Sequence, residues 1–487
     1  MQTARRVIRN TSVLLFGRVL AVGMGVIYVA ALARYVGARG MGQIGTAISV
    51  VSILILIANF GLAQLIVRDV AADRSRAAIY VPNAALLRAG LCAAFAIALV
   101  AFTSSVHYAY DTQLIIYIYA VAYIFDDFTE IAFSIFNAYE SMTYPTAIQT
   151  IRDLVNIGLS LTAIYLNAGL IVIVLITAAA NLLKLIAAFV IMRVRLVKPV
   201  LQIDLALCRR MLLAALPFAA IAVVSLLERQ VDTFLLSLYR SEQEVGWFSS
   251  ANTLVGYLLI IPSVFLQAIF PVFSRFHFAA RDRLQQAYRT SFRYMVLLGF
   301  PLCIGAIATA DQVIKLVYGS GFENAALSLR ILALLLLWMF GYANGALLNA
   351  TGGQNFLAGM LGLGVAINTA VALVLIPRLG FIGASIAASS SGLLLAYPIT
   401  RECHRRLDLR VPYAMAAKTL LAALCMGIVA NLLVRAGVNL LIVVCLVGPA
   451  VYLAGLAGLR VITAEDLTLL RRLFRERRAS AQPGSTN

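Results

Sequence analysis

The chain has 487 residues, is 62% hydrophobic and only 12% charged, and has a mean hydropathy of +0.93. A soluble domain is nearer half apolar and a quarter charged, so the composition excludes an ordinary soluble enzyme and predicts a polytopic membrane protein. The formal charge of +18 does not point to nucleic acid, because most basic residues lie in loops between apolar runs, as the positive-inside rule requires.

Apolar runs of about 20 residues recur, too long for barrel strands. Backbone amides in hydrocarbon must be satisfied within the segment, so the runs are expected to be helices. The fold class expected is therefore all-α, with fourteen transmembrane spans. Their limits are 11–33, 42–67, 79–103, 112–138, 145–166, 169–192, 209–239, 245–273, 286–309, 325–349, 356–376, 380–400, 413–434 and 437–460. The first run is long and lacks a small-residue cleavage site, so it reads as a span rather than a signal peptide. The seventh run contains Pro217 and is expected to bend or break there.

The loops alternate in charge. One side carries Arg5, Arg6 and Arg9; Arg68, Arg74 and Arg76; Arg193, Arg195, Lys198, Arg209 and Arg210; Arg275, Arg281, Arg283 and Arg289; Arg401, Arg405, Arg406 and Arg410; and the Arg-rich tail. The other side has little beyond Arg34, Arg39, Arg240, Lys315, Arg378 and Arg435. This asymmetry predicts a multi-pass protein of the cytoplasmic membrane with both termini in the cytoplasm. The basic linker contains Pro199, and the amphipathic stretch Leu201–Leu213 is expected along the inner membrane surface. The polar end of the tail is expected to be disordered.

Two stretches read as one segment written twice. Leu32, Tyr35, Gly42, Ala47 and Val51 recur as Leu236, Tyr239, Gly246, Ala251 and Val255, each 204 positions later. Asn137, Ala138 and Asn156 recur as Asn349, Ala350 and Asn368, 212 later. Six spans separate the copies, so the halves point the same way through the membrane, as in transporters built from parallel repeats. The expected organisation is a first lobe at 1–192, a linker at 193–208, a second lobe at 209–400, two appended spans at 401–460 and a tail at 461–487.

Other chemistries find no foothold. The chain has no GxxxxGK[ST] phosphate loop. No loop is long enough for a catalytic or nucleotide-binding domain, so no enzyme activity and no cofactor are expected. Cys92, Cys208, Cys303, Cys403, Cys425 and Cys445 are scattered without metal or disulfide spacing and read as packing residues. His107, His277 and His404 are expected in loops, and no metal is expected.

Several segments carry a family resemblance. They are Tyr35-Val-Gly-Ala-Arg-Gly-Met-Gly42, Asn59-Phe-Gly-Leu62, Arg68-Asp-Val-Ala71, Arg229-Gln-Val-Asp232 and Glu244-Val-Gly-Trp-Phe-Ser-Ser-Ala251. Tyr318-Gly-Ser-Gly-Phe322 and Ile376-Pro-Arg-Leu-Gly-Phe-Ile-Gly-Ala384 complete the set. In this order and spacing the chain resembles the polysaccharide-biosynthesis flippases of the multidrug/oligosaccharidyl-lipid/polysaccharide exporter (MOP) superfamily. The resemblance implies a two-lobed helical bundle with a central cavity, which moves a polyprenyl-diphosphate-linked glycan outward by alternating access.

Ionisable residues inside spans cost about 2.5–3.5 kcal/mol each on insertion scales, and persist where a partner or a cavity receives them. The fourth span holds Asp126, Asp127 and Glu130. Asp126 and Glu130 share a face. Three acids this close repel, so at least one is expected to be protonated or counter-charged. They can form a Na⁺ or H⁺ coupling site, bind sugar hydroxyls, or pair with neighbouring basic residues. Glu228, Arg229 and Asp232 lie in the seventh span, where Arg229 and Asp232 can pair within the helix or serve substrate and ion. A diphosphate needs cationic partners on leaving water, and Arg18, Arg88 and Lys184 are the candidates, with Arg229. Arg152, Arg293, Arg330 and Lys418 are expected to snorkel or pair. Asn156, Asn181 and the other span asparagines can hydrogen-bond between helices or to sugars, with interhelical glue the default; the aromatic residues of the fourth span can stack on sugar rings or face lipid, with lipid and core packing favoured.

The function expected is a monomeric flippase for a lipid-linked glycan, with membrane lipids and a Na⁺ or H⁺ gradient as partners. The alternatives are a cation-coupled multidrug exporter of the same superfamily and, less favoured, a membrane polysaccharide polymerase.

Overall fold

The computed structural model describes residues 2–58, 60–279, 281–408 and 413–461, and the side chains of most of these beyond residue 22. Asn59 and the tail beyond 461 lie outside the described residues. Among the described residues there is no strand. The helices of the first half are α1 (Gln2–Leu54), α2 (Leu62–Ala72), α3 (Ala77–Val106), α4 (Tyr110–Ala138), α5 (Thr143–Tyr165) and α6 (Leu170–Arg195). Those of the second are α7 (Leu205–Tyr239), α8 (Glu242–Ala279), α9 (Arg281–Ala308), α10 (Ala310–Tyr318), α11 (Ala325–Leu332), α12 (Gly341–Ala350), α13 (Gln354–Leu379) and α14 (Phe381–Leu407). The last are α15 (Tyr413–Arg435), α16 (Leu440–Ile442) and α17 (Gly448–Gly458).

Among the described residues nine helices are long and apolar enough to cross a membrane, or ten with the bent pair Leu205–Ala219 and Ala222–Tyr239, whose limbs meet at 54° just beyond Pro217. α4 and α5 are as long but more polar, since α4 holds Asp126, Asp127 and Glu130 and α5 holds Arg152 and Asp153. Both polar helices line the cavity described below.

Three expected elements are redrawn. The span at 42–67 is two helices. The second limb of α1 begins beyond the non-helical Gly37 (φ 69°) and ends at Leu54, a 3-10 turn follows at Ile55–Ile57, and α2 begins at Leu62 after Gly61. The span at 325–349 is α11 and α12 joined by a tighter 3-10 run, Ala333–Trp338. The stretch 201–213 is not a separate amphipathic helix. Residues 201–204 precede the helix, and α7 starts at Leu205 because the Asp204 carboxylate accepts from the Ala206 and Leu207 amides at 2.8 and 3.0 Å. Asn83 of α3 pins this linker, donating to the Gln202 carbonyl and accepting from the Asp204 amide, both at 2.8 Å. α8 and α14 run past their expected ends, which places His277 and His404 in helices rather than loops. His404 is buried against the rings of Tyr288 and Phe292.

The chain divides into two compact units that do not follow chain order. Unit one comprises residues 1–253, 314–328 and 361–391, and unit two comprises 254–313, 329–360 and 392–487. Unit one has two apolar cores. One joins α2, α3, α4 and α6 through residues such as Leu65, Ile66, Phe136 and Met192; the other joins α1, α3 and α4 through Val51, Phe95 and Ile116. Unit two is centred on Phe273, Tyr288, Phe292, Leu347 and Leu395, with a second cluster of Ala423, Met426 and Tyr452. The six cysteines are all free.

Gly61 precedes α2 with φ 74°, and a Cβ there would lie 2.6 Å from Phe218 Cβ and 2.7 Å from the Ala219 amide of α7. Both the backbone and the packing require glycine. Gly61→Ala should cost more than about 1 kcal/mol, read as a lower unfolding temperature of the purified protein in detergent. An unchanged temperature would show that α2 and α7 separate without penalty.

Candidate substrate cavity

Polar residues at helical spacing face one another in unit one. Gln149, Arg152 and Asn156 lie three and four apart on α5; Thr177, Asn181 and Lys184 lie four and three apart on α6. Each set forms one stripe. Tyr119, Tyr123 and Asp126 do the same on α4. Together with Tyr28 of α1 and Ser249 and Thr253 of α8 they line a cavity of roughly 450 Å³, within the size range of small-ligand sites.

The charged groups of its wall form one hydrogen-bonded chain. Lys184 Nζ donates to Asp126 Oδ1 and to Gln149 Oε1, the latter at 3.3 Å. Gln149 Nε2 donates to Asp153 Oδ1 at 3.0 Å, and Arg152 Nη1 donates to the same oxygen at 3.0 Å. Arg152 Nε donates to Asn181 Oδ1 at 2.8 Å, and Asn181 Nδ2 to the Ala122 carbonyl at 2.9 Å. Thr177 donates to Asn156 Oδ1 at 3.1 Å. Two bases thus meet two acids, and the network ties α4, α5 and α6 together. The Lys184 side chain is 5% exposed and that of Asp126 43%, so the lysine stem is packed away while the carboxylate reaches the open space. Lys184 Nζ also sits 5.6 Å from the centroid of the Phe133 ring, a cation–π distance.

The other sequence candidates lie elsewhere. Arg88 is fully buried in unit one, its Nη1 2.5 Å from Asp127 Oδ1, and it does not line the cavity. Two of the three α4 acids are therefore counter-charged. Glu130 is half-buried and makes no ion pair among the described residues. Asp232 is buried and accepts from Asn368 Nδ2 of α13 at 3.2 Å, whereas Arg229 is exposed and does not pair with it. The expected Arg229–Asp232 pair is absent because the two side chains sit in different surroundings, one outside and one packed against α13. The side chain of Arg18 lies outside those described.

Gln149 carries no mark in the sequence, and Arg152, Asn156, Asn181 and the tyrosines of α4 read first as pairing and packing residues, with contact to sugars as the second reading for the asparagines and tyrosines. The signal that marks them is the 3–4 spacing of polar residues on two successive apolar helices.

Three of the motifs that carry the family resemblance, Glu244–Ala251, Tyr318–Phe322 and Ile376–Ala384, meet in unit one. Arg34 donates to the carbonyls of Leu316 and, at 3.2 Å, Val317. Trp247 donates to the Gly321 carbonyl at 2.9 Å, and Tyr318 to the Ser250 carbonyl at 2.8 Å. Arg240 donates to the Pro377 carbonyl at 2.7 Å, and Glu244 accepts from the Phe381 amide at 3.0 Å.

Residues 7–277 match the family described as polysaccharide biosynthesis protein, more than half of the chain. The chain belongs to this family. Among solved structures, the lipid II flippase MurJ in an inward closed conformation is 15% identical over 91% of this chain and 97% of its own, with a TM-score of 0.71. An inward-facing multidrug resistance MATE family transporter of the MOP superfamily is 17% identical over 79% of this chain and 94% of its own, with a TM-score of 0.62. A MOP superfamily transporter from Pyrococcus furiosus is 16% identical over 80% and 93%, at 0.53. No curated protein matches the sequence. At these identities the likeness is one of fold. This member of the polysaccharide biosynthesis family is a multi-pass membrane protein with the MOP transporter architecture.

Proposed function

We propose that the chain is a flippase that carries a polyprenyl-diphosphate-linked oligosaccharide across the cytoplasmic membrane by alternating access. The observation that carries this reading is a polar, internally neutral cavity among membrane helices of a polysaccharide biosynthesis family member. The glycan travels through protein while the prenyl tail stays in lipid. The alternating loop charge supports cytoplasmic termini. The repeat supports two parallel lobes, 1–192 and 209–400, that rock against each other around the substrate. The solved structures of like fold are transporters rather than enzymes.

Asp232 is the acid assigned to coupling with Na⁺ or H⁺. Its Oδ1 and the Asn368 Oδ1 are buried without a hydrogen-bond partner among the described residues, a costly arrangement that a cation or proton would relieve. In vesicles holding the purified protein and a fluorescent lipid-linked oligosaccharide, flipping should accelerate under an imposed Na⁺ or H⁺ gradient. Asp232→Asn should abolish that acceleration. Gradient-driven efflux of a cationic drug with no flipping would favour the multidrug reading instead.

A further inference from the structure

The charges lining the cavity are already matched. Lys184 is held by Asp126, and Arg152 by Asp153. A diphosphate entering here must displace a carboxylate from its base, and a lipophilic cation finds the lining acid, Asp126, taken. Neither exchange is favourable, because separating either pair leaves a largely buried base, Lys184 at 5% or Arg152 at 17% exposure, without its counter-charge. What the wall leaves unused is of both kinds. Asp126 Oδ2 can accept, Asn156 Nδ2 can donate, and Ser249 Oγ, which is buried without a hydrogen-bond partner among the described residues, can do either. Beside them stand three phenol rings, Tyr28, Tyr119 and Tyr123. A diphosphate offers only acceptors and a drug ammonium only donors. A sugar ring offers hydroxyls that do both, and an apolar C–H face that packs on an aromatic ring.

We propose that this cavity seats the sugar rings of the cargo and that the diphosphate is met outside it. The proposal rests on the flippase reading above. It assigns Asn156 and Ser249 as hydroxyl partners, the tyrosines as the apolar wall, and the Asp126–Lys184 pair as a neutral donor–acceptor edge rather than an anion clamp.

The test uses the full-length protein in lipid nanodiscs and three probes: a panel of methyl glycosides of hexoses, N-acetylhexosamines and hexuronic acids, inorganic pyrophosphate, and tetraphenylphosphonium. Binding is read by saturation-transfer NMR. At least one glycoside should bind and resist displacement by pyrophosphate. Asn156→Ala should weaken it about tenfold, the loss expected when a ligand hydroxyl goes unpaired. Lys184→Gln should also weaken it, because it strands the Asp126 charge, and adding Asp126→Asn should restore most of the loss. A diphosphate clamp on Lys184 would stay lost in that double variant. Binding by no glycoside in the panel, or competition by pyrophosphate that vanishes with Lys184→Gln, overturns the assignment. In either case continued flipping of lipid-linked oligosaccharide leaves the flippase reading standing. That reading itself falls on tetraphenylphosphonium export without flipping, both read with the same protein in sealed vesicles, a result the binding arms cannot produce.

Discussion

Replacing Arg88 with methionine should destabilise the protein by about 3–5 kcal/mol, the usual cost of breaking a buried ion pair from one side. Arg88 is 0% exposed and Asp127 4%, and they meet at 2.5 Å between α3 and α4. The pair is incompletely served: Arg88 Nε and Nη2 and Asp127 Oδ2 lack hydrogen-bond partners among the described residues. Its net contribution over an apolar pair is therefore small, while the penalty for an orphaned charge is large. The double variant Arg88→Met/Asp127→Leu should recover most of the loss and can exceed the parent. Thermal unfolding of the detergent-solubilised protein measures all three variants. A double variant as unstable as Arg88→Met would mean that the residues act separately. A single variant as stable as the parent would mean that the charges are not buried together.

The second large effect concerns the duplicated glycines. A Cβ on Gly42 would collide with the Glu242 carbonyl and lie 3.0 Å from the Gly246 amide nitrogen; a Cβ on Gly246 would collide with the Ala38 carbonyl and lie 3.1 Å from the Gly42 amide nitrogen. Positions 38 and 242, like 42 and 246, are one 204-residue offset apart, so the contact is reciprocal. Absent side chains let the second limb of α1 and the start of α8 touch through their backbones, the role of small residues between membrane helices. The neighbouring Arg39–Glu242 bridge is 2.8 Å long, but its arginine is 68% exposed, and such surface pairs contribute little to stability. The glycine contact therefore holds the two helices together more strongly than the bridge does. Gly42→Leu or Gly246→Leu should force the helices apart at a cost of about 1–3 kcal/mol or more, as for overpacked sites. Each should also abolish flipping. Cross-linking between Arg39→Cys and Glu242→Cys, in a background without the native cysteines, should be efficient with Gly42 and lost with Gly42→Leu. Retained cross-linking and flipping would remove the contact from the mechanism.

Helix positions were legible because apolar length fixes them: α3, α4, α5 and α13 fall within a few residues of their expected limits. The break before α2 was not, because hydropathy is blind to backbone conformation. Only the packing of Gly61 against Phe218 and Ala219 reveals why the chain turns there. The α4 acids stood out as a set, and their spacing put Asp126 and Glu130 on one face. Which base each acid meets depends on the neighbours of α4, and a helical wheel does not name them. Arg88 and Lys184 thus looked alike in sequence, although one closes a core pair and the other borders the cavity. Gly42 and Gly246, matched at the 204-residue offset, are neighbours in the fold, a contact that the sequence match did not name.

The most direct measurement is protection of the cavity by its cargo. In a variant lacking Cys92, Cys208, Cys303, Cys403, Cys425 and Cys445, a single Thr177→Cys sits on the cavity wall and should react with a membrane-impermeant maleimide. Saturating polyprenyl-diphosphate-linked oligosaccharide should suppress that reaction, while the prenyl diphosphate alone should not. Undiminished labelling of Thr177→Cys in vesicles that are actively flipping the lipid-linked oligosaccharide would contradict a glycan path through unit one.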